Sequence, residues 1–321
     1  MRNEATQTYI VIILCCGFNI TIYSNRDHEV SVGLLHSILE RNNRLHRTGE
    51  KPIMKLLKRN STIVKAQVEQ GKRILISIPL TGVVRAEWML ARYGQAIPTN
   101  WSQVDIIQWM DQYSPLGYLV AEARNVAVDT FIKGKFEWLA FFDHDVILPF
   151  DTFSRFNQWM MKGTVPVLGG LYFTKSVPAE PLLYREMGSG YFIDWKMGDE
   201  VWVAAMGLGC NLIHRSILEI IYKESEEYKM GSQTARRVFQ TPHKVFFDAE
   251  KQTWASEGGT EDIFFYKRLK NERIYERAGW PEIQKKKWPV LCDTKIFCKH
   301  IDMSGVQYPI NGEERQYAKV K

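Results

Sequence analysis

Apolar positions between residues 72 and 302 come in short blocks, and the blocks alternate between two periods. Residues 73–82 (RILISIPLTG) form a β-rich run ended by Pro79 and Gly82, which predicts a strand opening into a loop. Residues 84–93 have the spacing of a short amphipathic helix, and 104–109 read as a second strand. Over 117–134 the helical period returns, with Ala123, Val126, Ala127, Thr130 and Phe131 as the inner stripe and Gly134 as the stop. Residues 136–149 (FEWLAFFDHDVILP) hold an apolar run, Trp138 to Phe142, followed at once by Asp143-His144-Asp145 and then by a second run, Val146 to Leu148, that Pro149 closes. An unbroken run of this kind predicts a strand buried on both faces.

The pattern continues with a helix over 151–161, carrying Phe153, Phe156 and Met160 on one side and Gly163 past its end. A strand over 165–173 is kinked at Gly169-Gly170, and 191–195 with 201–205 read as a hairpin or edge strands around Gly198-Asp199. The glycines of 206–215 (MGLGCNLIHR) imply close backbone approach. They do not spell G-x-G-x-x-G, so a dinucleotide-binding turn is rejected. Ser216 and Glu219 suggest a capping box for a helix to Tyr228, and Thr260 an N-cap for a helix with Glu261 and Asp262 in its first turn. Residues 295–300 read as a short strand ending in His300. Strand–helix alternation at this spacing predicts an α/β fold, a mostly parallel central sheet flanked by helices. Ligands of such sheets sit beyond the carboxyl ends of the strands, where Pro79–Gly82 and Asp143–Asp145 would lie.

The N-terminal part differs. Residues 9–18 are apolar, but fall short of the ~20 residues of a membrane span and precede no small-residue cleavage site. They predict a strand paired with 19–24, and no transmembrane segment. Residues 28–70 are basic and mostly helical in pattern, with no recognisable chemistry, so 1–71 is an N-terminal extension of unknown role ahead of a domain at 72–302 and a tail at 303–321.

Composition adds three constraints. Of the 321 residues, 45% are hydrophobic and 12% aromatic, enough for a large core. A net charge of +6 favours anionic ligands without marking a nucleic-acid protein. Five cysteines are too sparse and too odd for a disulfide framework, which fits a reducing, cytoplasmic setting. Cys292, Cys298 and His300 match no common zinc spacing.

Four places carry candidate chemistry. Asp143 and Asp145 end a buried strand, where carboxylates need water, a cation or a ligand; paired hard oxygens suit Mn²⁺ or Mg²⁺. A solvated turn is the plainer role. Arg124 and Asn125 lie near a helix start, and a guanidinium there suits a phosphate or a base edge, or merely the surface. Glu261 and Asp262 are favoured by the helix dipole alone, or supply a base at the mouth of a cleft. His300 is a surface histidine or a third metal ligand.

Taken in order, RILISIP (73–79), ARNVAV (123–128), WLAFFDHDV (138–146), GLGCNLIHR (207–215), TEDIFF (260–265) and His300 resemble the GT-A fold glycosyltransferases, most of all the family 2 group. The resemblance implies a GT-A domain and transfer of a sugar from a UDP- or GDP-linked donor to an acceptor hydroxyl, with inversion if Asp262 is the base. It implies that Pro79, Arg124, Asn125 and Asp143 contact the nucleotide sugar. It further implies that Asp143, Asp145 and His300 hold the divalent cation, and that Asp262, with Glu261 beside it, deprotonates the acceptor. The acceptor stays open among glycan, lipid, protein and modified nucleic-acid base. The first strand departs from the family by ending in Leu80-Thr81-Gly82 rather than a polar Asn. Two other readings remain: a two-metal phosphodiesterase or nuclease on a polyanion, and a carbohydrate-binding relic without turnover.

Overall fold

The computed structural model describes residues 11–15, 19–23, 73–98, 101, 110–186, 190–231 and 233–310. The chain divides into two compact units, Met1–Gln70 with Gln103–Gln108, and Gly71–Ser102 with Trp109–Lys321. In the first, Val11–Cys15 pairs antiparallel with Asn19–Tyr23, the hairpin the apolar pattern predicts. The helical readings at 28–70 lie outside the described residues. Among the described residues no helix is long and apolar enough to cross a membrane.

The second unit is built on a seven-stranded sheet. Its strands in chain order are β1 (Ile74–Ser77), β2 (Met110–Tyr113), β3 (Trp138–Phe142), β4 (Val167–Leu171), β5 (Glu200–Val203), β6 (Cys210–His214) and β7 (Val290–Phe297). They lie in the order β2-β1-β3-β6-β4-β7-β5. β1, β2, β3, β4 and β7 run one way; β6, between β3 and β4, and β5, at the edge, run the other. The fold is therefore α/β with a parallel-rich sheet.

Alternation along β3 sorts the two faces. Trp138, Ala140 and Phe142 join one core with Trp88 of α1 (Ala86–Tyr93) and with Phe153, Phe156, Trp159 and Met160 of α3 (Thr152–Lys162). Leu139 and Phe141 join the other, with Val128 and Phe131 of α2 (Val120–Lys133), Ile217 and Ile221 of α4 (Arg215–Glu224), and Phe265 and Leu269 of α5 (Glu261–Asn271). Each large side chain so buried contributes about 2 kcal/mol. α3 ends where Gly163 takes a left-handed φ of 60°, which a glycine adopts without steric cost.

Several boundaries move. The expected strand at 104–109 lies outside the described residues, and the second parallel strand is Met110–Tyr113. Residues 191–195 form no strand; Glu200–Val203 pairs instead with β7, because its alternating Val201 and Val203 fit the sheet edge. α4 stops at Glu224, and its cap is His214, whose Nδ1 accepts from Ser216 N at 3.2 Å, rather than a Ser216–Glu219 box. Tyr228 belongs to a separate hairpin, Glu227–Met230 with Gln233–Arg236. Beyond residue 302 the chain is not all tail: Gln307–Tyr308 pairs with Lys299–Ile301, which pairs in turn with Val146–Ile147.

Candidate active site

One edge of the sheet gathers all the candidate chemistry. It holds the carboxyl ends of the parallel strands β1, β3, β4 and β7 and the entry of the antiparallel β6. Pro79–Thr81 follow β1, Asp143–Asp145 follow β3, Tyr172–Lys175 follow β4, His300 follows β7, and Gly207–Gly209 precede β6. A cleft of about 180 Å³ opens here, lined by Pro79, Leu80, Thr81, Tyr118, Asp143, His144 and Asp145 among others. His144 closes its base: Nδ1 lies 3.0 Å from Pro79 O and Nε2 3.1 Å from Thr81 Oγ1, tying the ends of β1 and β3 together.

Strand parity explains where Asp143 goes. It continues the Leu139–Phe141 face and so meets α2, whose Arg124 donates from Nη2 to both Asp143 oxygens at 3.0 Å. Arg124 Nε donates to Glu261 Oε1 at 3.3 Å, and its guanidinium lies 5.0 Å from the centre of the Phe141 ring. The side chain is 2% exposed. Burial alone would lower its pKa, but the flanking charges of Asp143 and Glu261 raise it, so Arg124 is a permanent cation. Asn125, equally buried, donates to Tyr228 Oη at 3.0 Å and Phe239 O at 2.9 Å and accepts from Phe239 N at 2.7 Å. Asn125 is fully engaged within the protein, whereas Arg124 keeps Nη1, buried and without a hydrogen-bond partner. Arg124 organises carboxylates from beneath, and Asn125 anchors the 239 segment.

The two carboxylates both line the cleft but take different partners. A turn closed by Val146 N donating to Asp143 O at 3.0 Å lies between them. Asp145 Oδ2 accepts from Lys175 Nζ at 2.6 Å and lies 3.3 Å from His300 Nε2. Burial would raise the Asp145 pKa, but hydrogen bonds and charge from His300 and Lys175 hold it well below the ordinary range. His300 reaches Asp145 because its backbone pairs with Val146 and because Ile301 N donates to Asp145 O at 2.8 Å.

Asp145 and His300 fit a divalent cation, whereas both oxygens of Asp143 accept from Arg124. His300 Nδ1 lies 2.7 Å from Phe173 O, the bond that fixes Nδ1 as the protonated nitrogen. Nε2 then faces the Asp145 carboxylate, with room for a proton or a cation between them. Among the described residues no three His, Cys, Asp or Glu side chains converge on one point. A Mg²⁺-type site of one or two protein ligands is completed by substrate phosphates. Cys292 and Cys298 are buried free thiols rather than ligands.

The glycines of 206–215 are explained by the protein itself. A Cβ on Gly207 would overlap the Tyr172 hydroxyl, and one on Gly209 would come within 3.0 Å of Asp143 Oδ2 and of Tyr172 Oη. Gly209 N donates to Tyr172 Oη at 2.9 Å, and Tyr266 of α5 donates to Asn211 Oδ1 at 2.8 Å. Packing thus locks this segment to α5, at whose start Thr260 is the N-cap and Glu261 and Asp262 form the first turn as expected. Asp262 accepts from Ile263 N at 2.7 Å and from the Thr260 hydroxyl. Its pKa is raised, chiefly by burial and against those hydrogen bonds; Glu261 is raised by burial too, opposed by Arg124. Both carboxyls feel the charges of Arg124 and Asp143, so the acids of the first turn, the guanidinium and the strand-end carboxylate share one electrostatic unit.

Sequence reasoning missed Lys175, His144 and Tyr172. Lys175 lies 30 residues from Asp145 on a loop with no motif, so spacing carried no signal for it. His144 sat inside the noticed D-x-D stretch, and its role depends on where β1 ends.

No family model matches the chain, and no curated protein sequence matches it. Among solved structures, A197 from STIV is similar over 75% of this chain and 92% of its own, at 19% identity and a TM-score of 0.43. TarS from S. aureus, residues 1–349 in complex with UDP, covers 46% of this chain and 48% of its own at 13% identity and TM-score 0.29. A second TarS structure covers 69% and 35% at 10% identity and TM-score 0.32.

Proposed function

We propose that this chain is a glycosyltransferase of the GT-A type, moving a sugar from a UDP- or GDP-linked donor to an acceptor hydroxyl. The observation that carries the reading is Arg124, which binds Asp143 at the end of β3 and Glu261 at the start of α5 at once. That bridge sets a base-bearing turn beside a cleft at the carboxyl ends of parallel strands, where ligands of α/β sheets bind.

Each side chain then has a task. Pro79, Thr81 and Asp143 line the donor cleft. Asp262 takes the proton of the attacking hydroxyl; burial, by raising its pKa, makes it a stronger base than an ordinary aspartate. A single displacement with this base inverts the anomeric centre. Glu261 stays with Arg124 and holds the turn. A divalent cation, Mn²⁺ or Mg²⁺, would be held by Asp145 and His300 and would neutralise charge on the departing diphosphate. The phosphodiesterase reading is less well supported, because it needs Asp143 and Glu261 as free metal ligands and both are engaged by Arg124.

The test is release of free UDP or GDP from a panel of nucleotide sugars, with and without MnCl₂, by the wild type and Asp262→Asn. Metal-dependent release that the variant lacks is expected. Cleavage of bis-p-nitrophenyl phosphate with no nucleotide release would overturn the reading.

A further inference from the structure

Beyond β4 the chain folds back on itself. Thr174 N donates to Glu180 O at 2.8 Å, and Glu180 N donates to Thr174 Oγ1 at 2.9 Å. Ser176 Oγ donates to Pro178 O at 2.9 Å. These bonds pin the backbone on both sides of Lys175, so its ammonium is delivered to Asp145 by construction. The contact, at 2.6 Å, is on Oδ2, the same oxygen that faces His300 Nε2. One oxygen therefore serves both the ammonium and the imidazole. A divalent cation bound between Asp145 and His300 would need that oxygen, and would repel the ammonium.

We infer that Lys175 is a built-in counter-ion that excludes a divalent cation from the Asp145–His300 pair until a nucleoside diphosphate draws it away. The side chain is suited to this. It is one-third exposed, its charge sits on a flexible four-carbon stem, and Asp145 lines the cleft it would swing toward. Leaving Asp145 costs an ion pair in the free protein. An arriving diphosphate supplies a replacement partner, and the vacated carboxylate accepts the cation. Cation and nucleotide then bind with positive coupling, each helped by the displacement of the same ammonium. The identity of the nucleotide rests on the proposed transferase reading, whereas the competition at Asp145 does not.

Full-length wild type, Lys175→Met, Lys175→Gln and Lys175→Arg are titrated with Mn²⁺, free ion being counted by electron paramagnetic resonance, alone and with UDP or GDP. Circular dichroism checks that each variant is folded. Without nucleotide, the Met and Gln variants are expected to bind Mn²⁺ about five- to tenfold more tightly than the wild type, the scale of a partly buried ion pair, while Arg, which keeps the charge, stays weak. UDP or GDP should tighten Mn²⁺ binding in the wild type and much less in the Met and Gln variants. Unchanged affinity in folded Met and Gln variants, or no Mn²⁺ binding by any of the four, overturns the inference. A gain in those variants without any response to UDP or GDP upholds Lys175 as counter-ion and counts against the nucleotide reading instead.

Discussion

Arg124 places a single nitrogen, Nη2, 3.0 Å from both carboxylate oxygens of Asp143. The contact joins α2 to the end of β3 inside the core, and the same guanidinium continues to Glu261. An ion pair so buried is costly to break from one side, because the partner left behind stays desolvated.

Arg124→Met is therefore expected to destabilise the protein by about 3–5 kcal/mol, since it strands two carboxylates. Arg124→Lys should recover part of this, as a point charge cannot reach both acids. Denaturant unfolding of the two variants measures it. A loss of nucleotide affinity with unchanged stability would return Arg124 to the ligand surface.

Asp262→Asn keeps shape and most hydrogen bonding but cannot accept a proton, so kcat should fall roughly 10²–10⁴-fold while donor affinity holds. Glu261→Gln should act through stability and through Arg124 more than through the chemical step. Steady-state kinetics with calorimetric donor binding separates the two, and near-normal kcat in Asp262→Asn would reduce the residue to a helix-dipole partner.

The pH profile follows from the raised pKa of Asp262. A base works in its deprotonated form, so activity is gained as pH rises through that pKa and lost below it. Because burial pushes the pKa up, the acid limb of kcat/KM should lie above the ordinary aspartate range, near 4. An acid limb at or below the ordinary value would remove Asp262 as the ionising group.

Asp145→Asn should abolish metal-dependent transfer with a stability loss of about 1 kcal/mol or less, since its ion pair with Lys175 is part-exposed. Turnover by wild type in excess chelator at the full rate would exclude the cation.

Gly209→Ala should impair both folding and activity. The new methyl would sit 2.9 Å from Val146 Cγ2 and 3.0 Å from both Asp143 Oδ2 and Tyr172 Oη, so buried side chains as well as the carboxylate must shift. Overpacking of this kind costs about 1–3 kcal/mol, and a displacement of about 1 Å can cost up to about 10²-fold in rate. A lowered melting temperature together with reduced kcat/KM is the expected pair of results, and wild-type values of both would show that the segment yields without cost.

Local pattern alone determined much of this protein. The buried Trp138–Phe142 strand, the α2 stripe, the left-handed stop at Gly163, the N-terminal hairpin and Thr260 ahead of two acids were all legible. Each follows from the period of apolar side chains or from the geometry of a turn, which act within a few residues. The same patterning put Asp143 at the end of a buried strand and so marked the site. What only the tertiary structure decided was who neutralises whom. Arg124 had the chemistry of a phosphate ligand, yet strand parity turned Asp143 toward it and made it an internal bridge. Asp145 took a different partner from Asp143, its cation coming from Lys175 on a loop 30 residues away. The partner of the edge strand Glu200–Val203, which is β7 rather than residues 191–195, was likewise settled by long-range packing. Charge pairing acts through space, so its partners emerge only when the sheet sets one strand end beside another.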